Sequence, residues 1–547
     1  MSSIRTSHYV TIAILVRVGI ALLTRSYFQP DEYFQSLEVA HHFVFGYGHL
    51  TWEWLSPVPI RSFLYPALNV PIYWLLRTLK LDDTQLIILG PRVLHGLLAA
   101  CADIWLTKLT KVMIGNNYVS VAYLLSLTSF FNALSLSRSL SNSLETTLTT
   151  IALSFYPWQI SYSWRSDTRR CLAFAAVACA VRPTNAVIWV YMFAVLLWRT
   201  RNELSRLLAV LVDASTIAFI AAGVIAALDS LYYGKITFTP LNFLLTNLSP
   251  VSLFYGSNPW HFYIFQALPI LCTTALPFVL HGSWLSFKQP AARNLRVVLG
   301  LLVWTIGIYS AAGHKEWRFI HPLLPLLHIL AAKSIVDSSP HIKQESSRTL
   351  PIRRSFKWLV LLPLPAIVYI VWFHARAQID VIYYLQNLAT TDVQSAGFLM
   401  PCHSTPWQAY LHRPQWTDEG SFWSLGCEPP LAGQDLAGYR DQIAVFLDAP
   451  VAYLQTRFPP EVNPAFPRSP RPFSIPGATN QLHDWSHEWP QYIVMFGALL
   501  RKPGVRELLT DRGYSIVWDK EFGWDGDENR QGGVKVWKYL GHDSVSS

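Results

Sequence analysis

Long apolar runs alternate with short polar segments through the first two thirds of the chain. A helix that crosses a bilayer needs about 20 mostly apolar residues, and runs of roughly this character recur as far as residue 373. They lie at 8–24, 85–107, 117–133, 141–157, 171–198, 206–228, 261–281, 297–313, 319–332 and 358–373. The pattern predicts a mainly α-helical, polytopic membrane bundle.

Two segments refine the number of crossings. The run at 171–198 is interrupted by Arg182-Pro183-Thr184-Asn185; because proline breaks a helix, two shorter helices are predicted to meet at a polar apex. The stretch 63–79 is short and contains two prolines, which is typical of a helix lying in the membrane interface. We therefore expect about eleven spans, with interfacial helices beside them.

The rest of the chain has a different character. Residues 374–547 contain no apolar run long enough to span, and alternating segments at 442–447, 491–495 and 534–539 predict strands. The sequence thus divides into a transmembrane module, 1–373, and a soluble C-terminal domain, 374–547, of mixed α/β structure.

Composition and charge narrow the class of protein. Only 14% of residues are charged and 52% are hydrophobic, whereas soluble domains carry about 25% charge. Residues 1–373 hold 29 Lys/Arg and 15 Asp/Glu, while 374–547 hold 14 and 19. The basic residues form short clusters between apolar runs, as cytoplasmic loops do. This argues against an ordinary soluble enzyme and against a nucleic-acid partner.

The basic clusters also predict an orientation. They are Lys108/Lys111, Arg165/Arg169/Arg170, Arg199/Arg201/Arg206, Lys288/Arg293/Arg296 and the 333–357 loop. Strict alternation works if all five are cytoplasmic and the N-terminus is inside. The segments 25–62, 134–142, 182–185, 229–260 and 314–318, with the C-terminal domain, then lie on the opposite face.

Two adjacent carboxylates, Asp31 and Glu32, follow the first run. After Pro30 they suit the first turn of a solvated interfacial helix. They equally suit a general base that faces a substrate anchored in the bilayer. From the residues alone both interpretations stay open.

A dense ionisable cluster lies between two apolar runs. In the stretch His314-Lys315-Glu316-Trp317-Arg318-Phe319, four of six residues are ionisable. One interpretation is a salt-bridged hairpin in which Glu316 neutralises Lys315 or Arg318. The other is an anion clamp for a phosphate leaving group.

Weaker candidates fall on the same predicted face. They are Arg182, Lys235, Trp260, His261, Asn142 and Glu145. Individually, such residues more often form caps, turns or aromatic belts.

The cysteines divide by environment. Four lie in apolar runs, where a small buried side chain is the ordinary role; Cys402 and Cys427 lie in the soluble region. An oxidising compartment would favour a disulfide bond between these two. No spacing of ligands requires a metal, and we expect neither a metal nor a cofactor.

With these residues in view, the chain resembles the GT-C superfamily of polyprenyl-phosphate-sugar-dependent glycosyltransferases. More narrowly, residues 314–319 resemble the His-Lys-Glu-x-Arg-Phe signature of the endoplasmic-reticulum (ER) mannosyltransferases. Family members that act on the oligosaccharide lipid usually carry Glu where this chain has Trp317. The stretches 30–38 and 398–406, and the region around Asp484-Trp485, resemble members that add the third mannose of the glycosylphosphatidylinositol (GPI) core.

The resemblance implies an activity and its partners. The donor would be dolichyl phosphate mannose, the acceptor a GPI precursor glycolipid in the lumenal leaflet of the ER, and the product an inverted α-1,2 linkage. Asp31 would accept the proton of the acceptor hydroxyl, with Glu32 assisting. His314, Lys315 and Arg318 would stabilise the departing phosphate, with Arg182 and Lys235 as further candidates. The residues expected to meet the sugar are Glu316, Trp260, His261, Asn142 and Glu145. Protein partners are not indicated.

Other functions remain in competition. Sibling mannosyltransferases add the fourth GPI mannose or extend the dolichol-linked oligosaccharide by α-1,2 or α-1,6 linkage. A transporter for lipid-linked sugars would place polar residues along a path through the bilayer. A non-catalytic scaffold would not need Asp31-Glu32 or residues 314–319 intact.

Overall fold

A computed structural model describes residues 2–159, 163–254, 256–289, 292–339, 352–430, 438–474, 484–523 and 527–541. The chain is mainly helical, with a small sheet near its C-terminus. It forms two compact units: 1–24, 61–68 and 89–369 make the first, and 25–60, 69–88 and 370–547 make the second. The proposed division at residue 373 stays a prediction; the second unit begins its last segment at Ile370 and also includes two earlier segments.

Six helical stretches of the described chain have the length and apolar composition needed to cross a membrane. They are Leu86–Ile114, Leu204–Tyr233, Tyr263–Lys288, Arg293–Ala311, Trp317–Asp337 and Arg354–Gln386, and a shorter apolar stretch runs over Ser7–Leu23. Each coincides with a run that the hydrophobic pattern predicts. The prediction of a mainly helical membrane protein is confirmed at this level.

The first unit is built almost wholly from helices. Its α-helices are Ser2–Leu23, Leu86–Ile114, Val119–Leu127, Ser141–Phe155, Trp164–Val181, Ala186–Thr200, Leu204–Tyr233, Thr239–Leu248, Leu268–Cys272, Leu276–Lys288, Arg293–Ala311, Leu324–Asp337, Arg354–Leu361 and Leu364–Trp372, the second and last of which continue into segments of the other unit. The helix over 171–198 breaks where the sequence predicts, with a 3₁₀ turn, Pro183–Asn185, between two helices.

Arginines inside the apolar runs are compensated rather than exposed. Arg17 is fully buried and its guanidinium contacts both carboxylate oxygens of Asp103, at 2.6 and 3.1 Å. Arg92 donates to the carbonyl of Thr24. Burying an unpaired charge is costly, so these partners make the arginines compatible with a helical interior.

The second unit combines short helices with a five-stranded sheet. Its helices are Glu38–Phe45, Trp52–Leu55, Val70–Thr78, Ala377–Gln386, Gln408–Leu411, Gln442–Asp448, Pro450–Arg457 and Val505–Asp511. The nine residues of Val70–Thr78 are fewer than a spanning helix needs.

The sheet is mixed. Its strands are β1 (Ala396–Leu399), β2 (Phe422–Ser424), β3 (Tyr492–Phe496), β4 (Tyr514–Lys520) and β5 (Val534–Tyr539), in the order β2-β1-β3-β5-β4. β1 pairs in parallel with β2 and β3, while β5 pairs antiparallel with β3 and β4. Buried side chains on its two faces belong to separate apolar clusters, so the sheet is covered on both sides.

Two of the three predicted strands are present, and one prediction is wrong. The segments 491–495 and 534–539 largely form β3 and β5, but 442–447 lies in the helix Gln442–Asp448. The carboxylate of Asp441 caps that helix by accepting from the amide of Ala444 at 2.6 Å. Gln442 and Phe446, one turn apart, are its buried residues, which is a helical period rather than a strand period.

One buried carboxylate fixes two loops of the second unit. Glu38 is fully buried and accepts hydrogen bonds from the backbone amides of His49 at 3.0 Å, Gln408 at 2.9 Å and Ala409 at 2.8 Å. Burial raises the pKa of Glu38 to about 7, against the effect of these three donors. The side chain therefore acts as a cross-link between segments far apart in sequence.

A disulfide bond joins Cys402 to Cys427, the pair that the sequence indicates. It closes a loop with a sequence separation of 25 residues, which connects the end of β1 to the segment after β2. In the chain-entropy description, a loop of this size is worth about 3.5 kcal/mol of stability.

The second unit is expected to lose stability in acid because it buries neutral histidines. Burial lowers the pKa values of His41 and His487 to about 3 each. In the unfolded chain these imidazoles take up protons as the pH falls below about 6.5, whereas in the folded chain they stay neutral. Each therefore costs about 2 kcal/mol of stability between pH 7 and pH 5.

The measurement is the thermal midpoint of tryptophan fluorescence for the full chain in detergent at the two pH values. The midpoint is expected to fall at pH 5, and His487→Gln is expected to remove part of the fall. A fall that is as large in His487→Gln as in the wild type would contradict the burial of a neutral His487.

Candidate functional site

Asp31 and Glu32 start a short helical segment of the second unit. Pro30 opens the turn, and its carbonyl accepts from the amides of Tyr33 and Phe34, both at 3.0 Å. Glu32 is 6% exposed and Asp31 is partly exposed. A proline followed by two acids is a favourable helix start, so the local sequence places both carboxyl groups at one helix end.

The pKa of Tyr27 indicates which charged groups surround Asp31 and Glu32. Its phenol is fully buried, and burial is the main reason that its pKa is raised above the usual value. Arg530 opposes this effect, whereas Glu32 and Asp31 add to it. The carboxylates thus lie in a partly buried setting with an arginine in the same electrostatic neighbourhood.

In the first unit, Glu316 organises the stretch 314–319. It holds the Arg318 guanidinium through two contacts of 2.7 Å, from Nε and Nη2, and lies 3.3 Å from Nε2 of His314. Burial alone would raise the pKa of Glu316, but Arg318 and His314 outweigh burial and hold it below the usual value. The hydrogen bond to Glu316 raises the pKa of His314, against burial.

A second arginine–carboxylate pair adjoins the first. The Arg182 Nε lies 3.1 Å from Glu145 Oε2, and both side chains are almost fully buried. Asn142 joins the two pairs: its amide nitrogen lies 3.5 Å from Glu145 and 3.2 Å from the Arg318 carbonyl, and its oxygen accepts from Arg318 Nη1 at 3.4 Å. The ring of Phe319 lies under both guanidinium groups.

The predicted residues Asn142, Glu145, Arg182, His314, Glu316 and Arg318 therefore form one connected polar network. Within it the two carboxylates balance the two guanidinium groups. A protonated His314, whose side chain is 28% exposed, adds positive charge at the accessible end. The salt-bridged interpretation of this stretch describes its geometry, and such pairs also fix guanidinium groups in position for an anion.

Lys315 has a different position. Its ammonium donates to the carbonyl of Asn258 at 2.6 Å, and the Asn258 side chain donates to the carbonyl of Lys315 at 2.9 Å. The residue is 3% exposed. It therefore ties the 256–260 segment to the 314–319 stretch, and its role with phosphate stays a prediction.

Three other predicted residues belong to the 235–261 stretch of the first unit. Trp260 is 67% exposed, and its ring contacts His261. His261 also contacts Phe265. Lys235 is exposed just beyond the helix Leu204–Tyr233.

The site residues predicted from the sequence do not include two asparagines that the structure places in these contacts. Asn185 is fully buried and donates to Glu145 at 2.9 Å, and Asn258 forms the reciprocal contacts with Lys315. Both occur in polar interruptions next to proline, Pro183-Thr184-Asn185 and Asn258-Pro259. An amide inside an otherwise apolar region was the available signal.

One cluster has the composition of a metal site. Ligand atoms of Cys402, His403 and Cys427 lie within 4.8 Å of one another. Both sulfurs are joined in the disulfide bond, whereas a metal would require thiolates. The cluster fits a cross-link and does not fit a metal centre.

Comparison with known proteins gives the fold and the family. The architecture is similar to that of ArnT from Cupriavidus metallidurans, solved bound to undecaprenyl phosphate, with a TM-score of 0.56 over 100% of each chain and 12% sequence identity. At that identity the similarity concerns the fold, which is of the GT-C type.

Relatives found by sequence have a higher identity to this chain than that solved structure does. The chain is 35% identical over 532 residues to GPI mannosyltransferase 3 of Yarrowia lipolytica, covering 95% of both chains. It is 35% identical to GPI alpha-1,2-mannosyltransferase 3 of Mus musculus, covering 83% of this chain and 79% of that one. The Alg9-like mannosyltransferase family model matches residues 8–412, which include every residue of the polar network and the Asp31-Glu32 pair, and the chain is a member of that family.

Proposed function

We propose that this protein transfers the third mannose of the GPI core, in α-1,2 linkage, from dolichyl phosphate mannose to the GPI precursor in the ER lumen. The observation that carries the proposal is the near full-length similarity to GPI mannosyltransferase 3 of Yarrowia lipolytica. Trp317, in place of the usual Glu of the oligosaccharide-lipid members, favours the GPI acceptor over the dolichol-linked oligosaccharide.

The proposed reaction is a single displacement. The acceptor 2-hydroxyl attacks the anomeric carbon of the β-linked donor, the bond from that carbon to the phosphate oxygen breaks, and the product is α-linked. Asp31 accepts the hydroxyl proton, and Glu32 orients the acceptor. One carboxylate base is enough for inversion. Dolichyl phosphate leaves as an anion, so the step needs no general acid.

The polar network is proposed to bind the phosphate. Glu316 holds Arg318 and raises the pKa of His314, so a rigid guanidinium and a protonated imidazole are available together. Donors fixed before the reaction stabilise developing charge without reorganisation. Arg182, which Glu145 holds in place, is proposed to contact the same phosphate. No metal or cofactor takes part in the proposed step.

The proposed membrane arrangement has about eleven spans, a cytoplasmic N-terminus and a lumenal C-terminal region. Its support is the placement of the basic clusters under the positive-inside rule. The last of these, 333–357, lies partly outside the described residues, because 340–351 are not described.

The test of the reaction uses microsomes that lack their own third-step enzyme, supplied with labelled dolichyl phosphate mannose. The wild-type chain is expected to convert the two-mannose GPI precursor to the three-mannose form. Asp31→Asn is expected to lower kcat about 10²- to 10⁴-fold, with a smaller loss for Glu32→Gln.

The matched control for Asp31→Asn is Asp448→Asn, at an exposed ion pair with Arg440, which is expected to retain full activity. Extension of the dolichol-linked oligosaccharide instead would assign the chain to a sibling mannosyltransferase. Equal losses for Asp31→Asn and Asp448→Asn would refute the base assignment.

A second variant tests the phosphate-binding role. Glu316→Gln removes the carboxylate that raises the pKa of His314, so the imidazole loses its proton at lower pH. The rate is expected to fall about 10- to 100-fold, since a buried guanidinium loses its partner. The alkaline limb of the pH–rate profile is expected to move to lower pH.

The control for that profile is Glu203→Gln, at the exposed Arg206 pair, which should leave rate and profile unchanged. If Glu316→Gln lowers the rate without moving the alkaline limb, His314 does not act as a protonated group.

A further inference from the structure

Basic side chains from four separate parts of the first unit line one cavity. The cavity has a volume of about 840 Å³, and its basic lining residues are Lys111, Arg199, Arg293 and Lys333. Each belongs to a different one of the basic clusters that the sequence places between apolar runs. We call this hollow the basic cavity. Its volume falls in the range of about 300–1,000 Å³ that is usual for small-molecule sites.

The walls of the basic cavity do not balance its charge. Among the described residues that line it there is no aspartate or glutamate. The ammonium of Lys333 pairs with Asp337, outside the lining, at 2.8 Å. In the described part of the chain no ion pair joins Lys111, Arg199 or Arg293 to a carboxylate. A cleft lined by charges of one sign concentrates counter-ions, so the cavity suits an anion.

The unbalanced cations are accessible to a ligand. Lys111 and Arg293 are exposed, and Arg199 is partly exposed. The Arg199 guanidinium lies 3.5 Å from the carbonyl of Trp158, which also lines the cavity. One ligand in this hollow therefore meets positive charge from three directions of the chain.

The basic cavity is separate from the polar network proposed for the reaction. The helix Ser141–Phe155 carries Asn142 of that network in its first turn and ends two residues before Pro157, which lines the cavity. The helix Ala186–Thr200 begins after the polar apex and carries Arg199 in its last turn. Each has 15 residues, a length of about 20 Å. The two sites thus lie at opposite ends of the same helices.

The position of the cavity favours a lipid headgroup over a soluble anion. Leu86–Ile114 ends at the cavity and Arg293–Ala311 begins there, and both are long and apolar enough to cross a membrane. Cations at the ends of such helices lie at the level of the lipid headgroups. Apolar side chains complete the lining, among them Val112, which is 40% exposed. A lipid covers these side chains with its acyl chains, whereas a soluble phosphate leaves them uncovered.

The start of Arg293–Ala311 adds to the positive charge of the wall. Its N-cap is Ala292, which has no side chain that could cap the helix. Ala292 and the first three helical residues, through Leu295, all line the cavity. The first amides of a helix have no partner within the helix and favour an anion.

We propose that the basic cavity binds the phosphate-bearing headgroup of an anionic membrane lipid, in the leaflet opposite to the polar network. Pockets of this kind, basic and between membrane helices, are typical of such recognition. The bound lipid supplies the negative charge that the walls lack, and it stabilises the folded bundle by binding to it. The site takes no part in the transfer of mannose and does not depend on the identity of the acceptor.

The test titrates the full chain, in a neutral detergent, with dihexanoyl phosphatidic acid, and measures Kd by microscale thermophoresis. Saturable binding is expected, with none for dihexanoyl phosphatidylcholine. The double variant Lys111→Gln/Arg293→Gln is expected to raise Kd about 25-fold, since each cation near an anionic lipid contributes a factor of about five. Its thermal midpoint without lipid should equal that of the wild type, because both side chains are exposed and belong to no ion pair with a described carboxylate.

The matched control is the double variant Lys288→Gln/Arg296→Gln. It removes the same charge from the ends of helices that adjoin the cavity, but neither residue lines the cavity. Its Kd is expected to stay within about twofold of the wild type. An equal rise in Kd for the two double variants would indicate diffuse attraction and overturn the proposed site.

A soluble phosphate ester separates the two sources of the same chemistry. Glycerol 3-phosphate is expected neither to bind with a similar Kd nor to displace the short-chain lipid. Binding as tight as that of dihexanoyl phosphatidic acid would overturn the assignment to a lipid, and the absence of saturable lipid binding would overturn the site itself. Mannose transfer is no part of this measurement, so its outcome is independent of the proposed function.

Discussion

The cost of burying charge constrains this protein more than any other single factor. The first unit hides Arg17, Arg182 and Arg318 among apolar helices, and each lies against a carboxylate. The second unit hides Glu38, which takes backbone amides instead of a cation. Removing one partner from such an arrangement leaves an uncompensated charge, which is far more costly than losing an exposed pair. The helix break after Arg182, the loops that Glu38 joins and the candidate chemistry around Glu316 all lie where such a charge meets its partners.

In the first unit the same pairing that permits burial also holds the guanidinium groups in fixed positions. A guanidinium held by two contacts has little freedom left to lose when it meets an anion. Glu316 performs this task for Arg318 and at the same time favours a protonated His314. A salt-bridged structural role and an anion-binding role are therefore compatible properties of one network, and a proton on the accessible His314 would give that network an excess positive charge.

In the second unit, connections between distant segments shape a cavity. Glu38 fixes His49 beside Gln408, and the disulfide bond holds Cys427 beside Cys402. His403 follows Cys402 and lines the same cavity as His49 and Cys427. Its backbone adopts a positive φ of 54°, a conformation that surrounding contacts must maintain. Nearby, the hydroxyl of Thr51 and the indole N–H of Trp416 are buried without a hydrogen-bond partner among the described residues.

The sequence by itself determined the helical membrane class, the break at Arg182-Pro183, the cysteine pair and the residues of the network, because hydrophobic period, proline and signature residues act locally. It failed at 442–447, where alternation over six residues could not reveal that Asp441 caps a helix. It also could not assign Lys315 to the carbonyl of Asn258, join Asn142 to both ion pairs, or show that Trp416 and Thr51 lack partners. Such features depend on contacts between residues tens to hundreds of positions apart, and only the tertiary structure decides which polar groups meet and which remain unsatisfied.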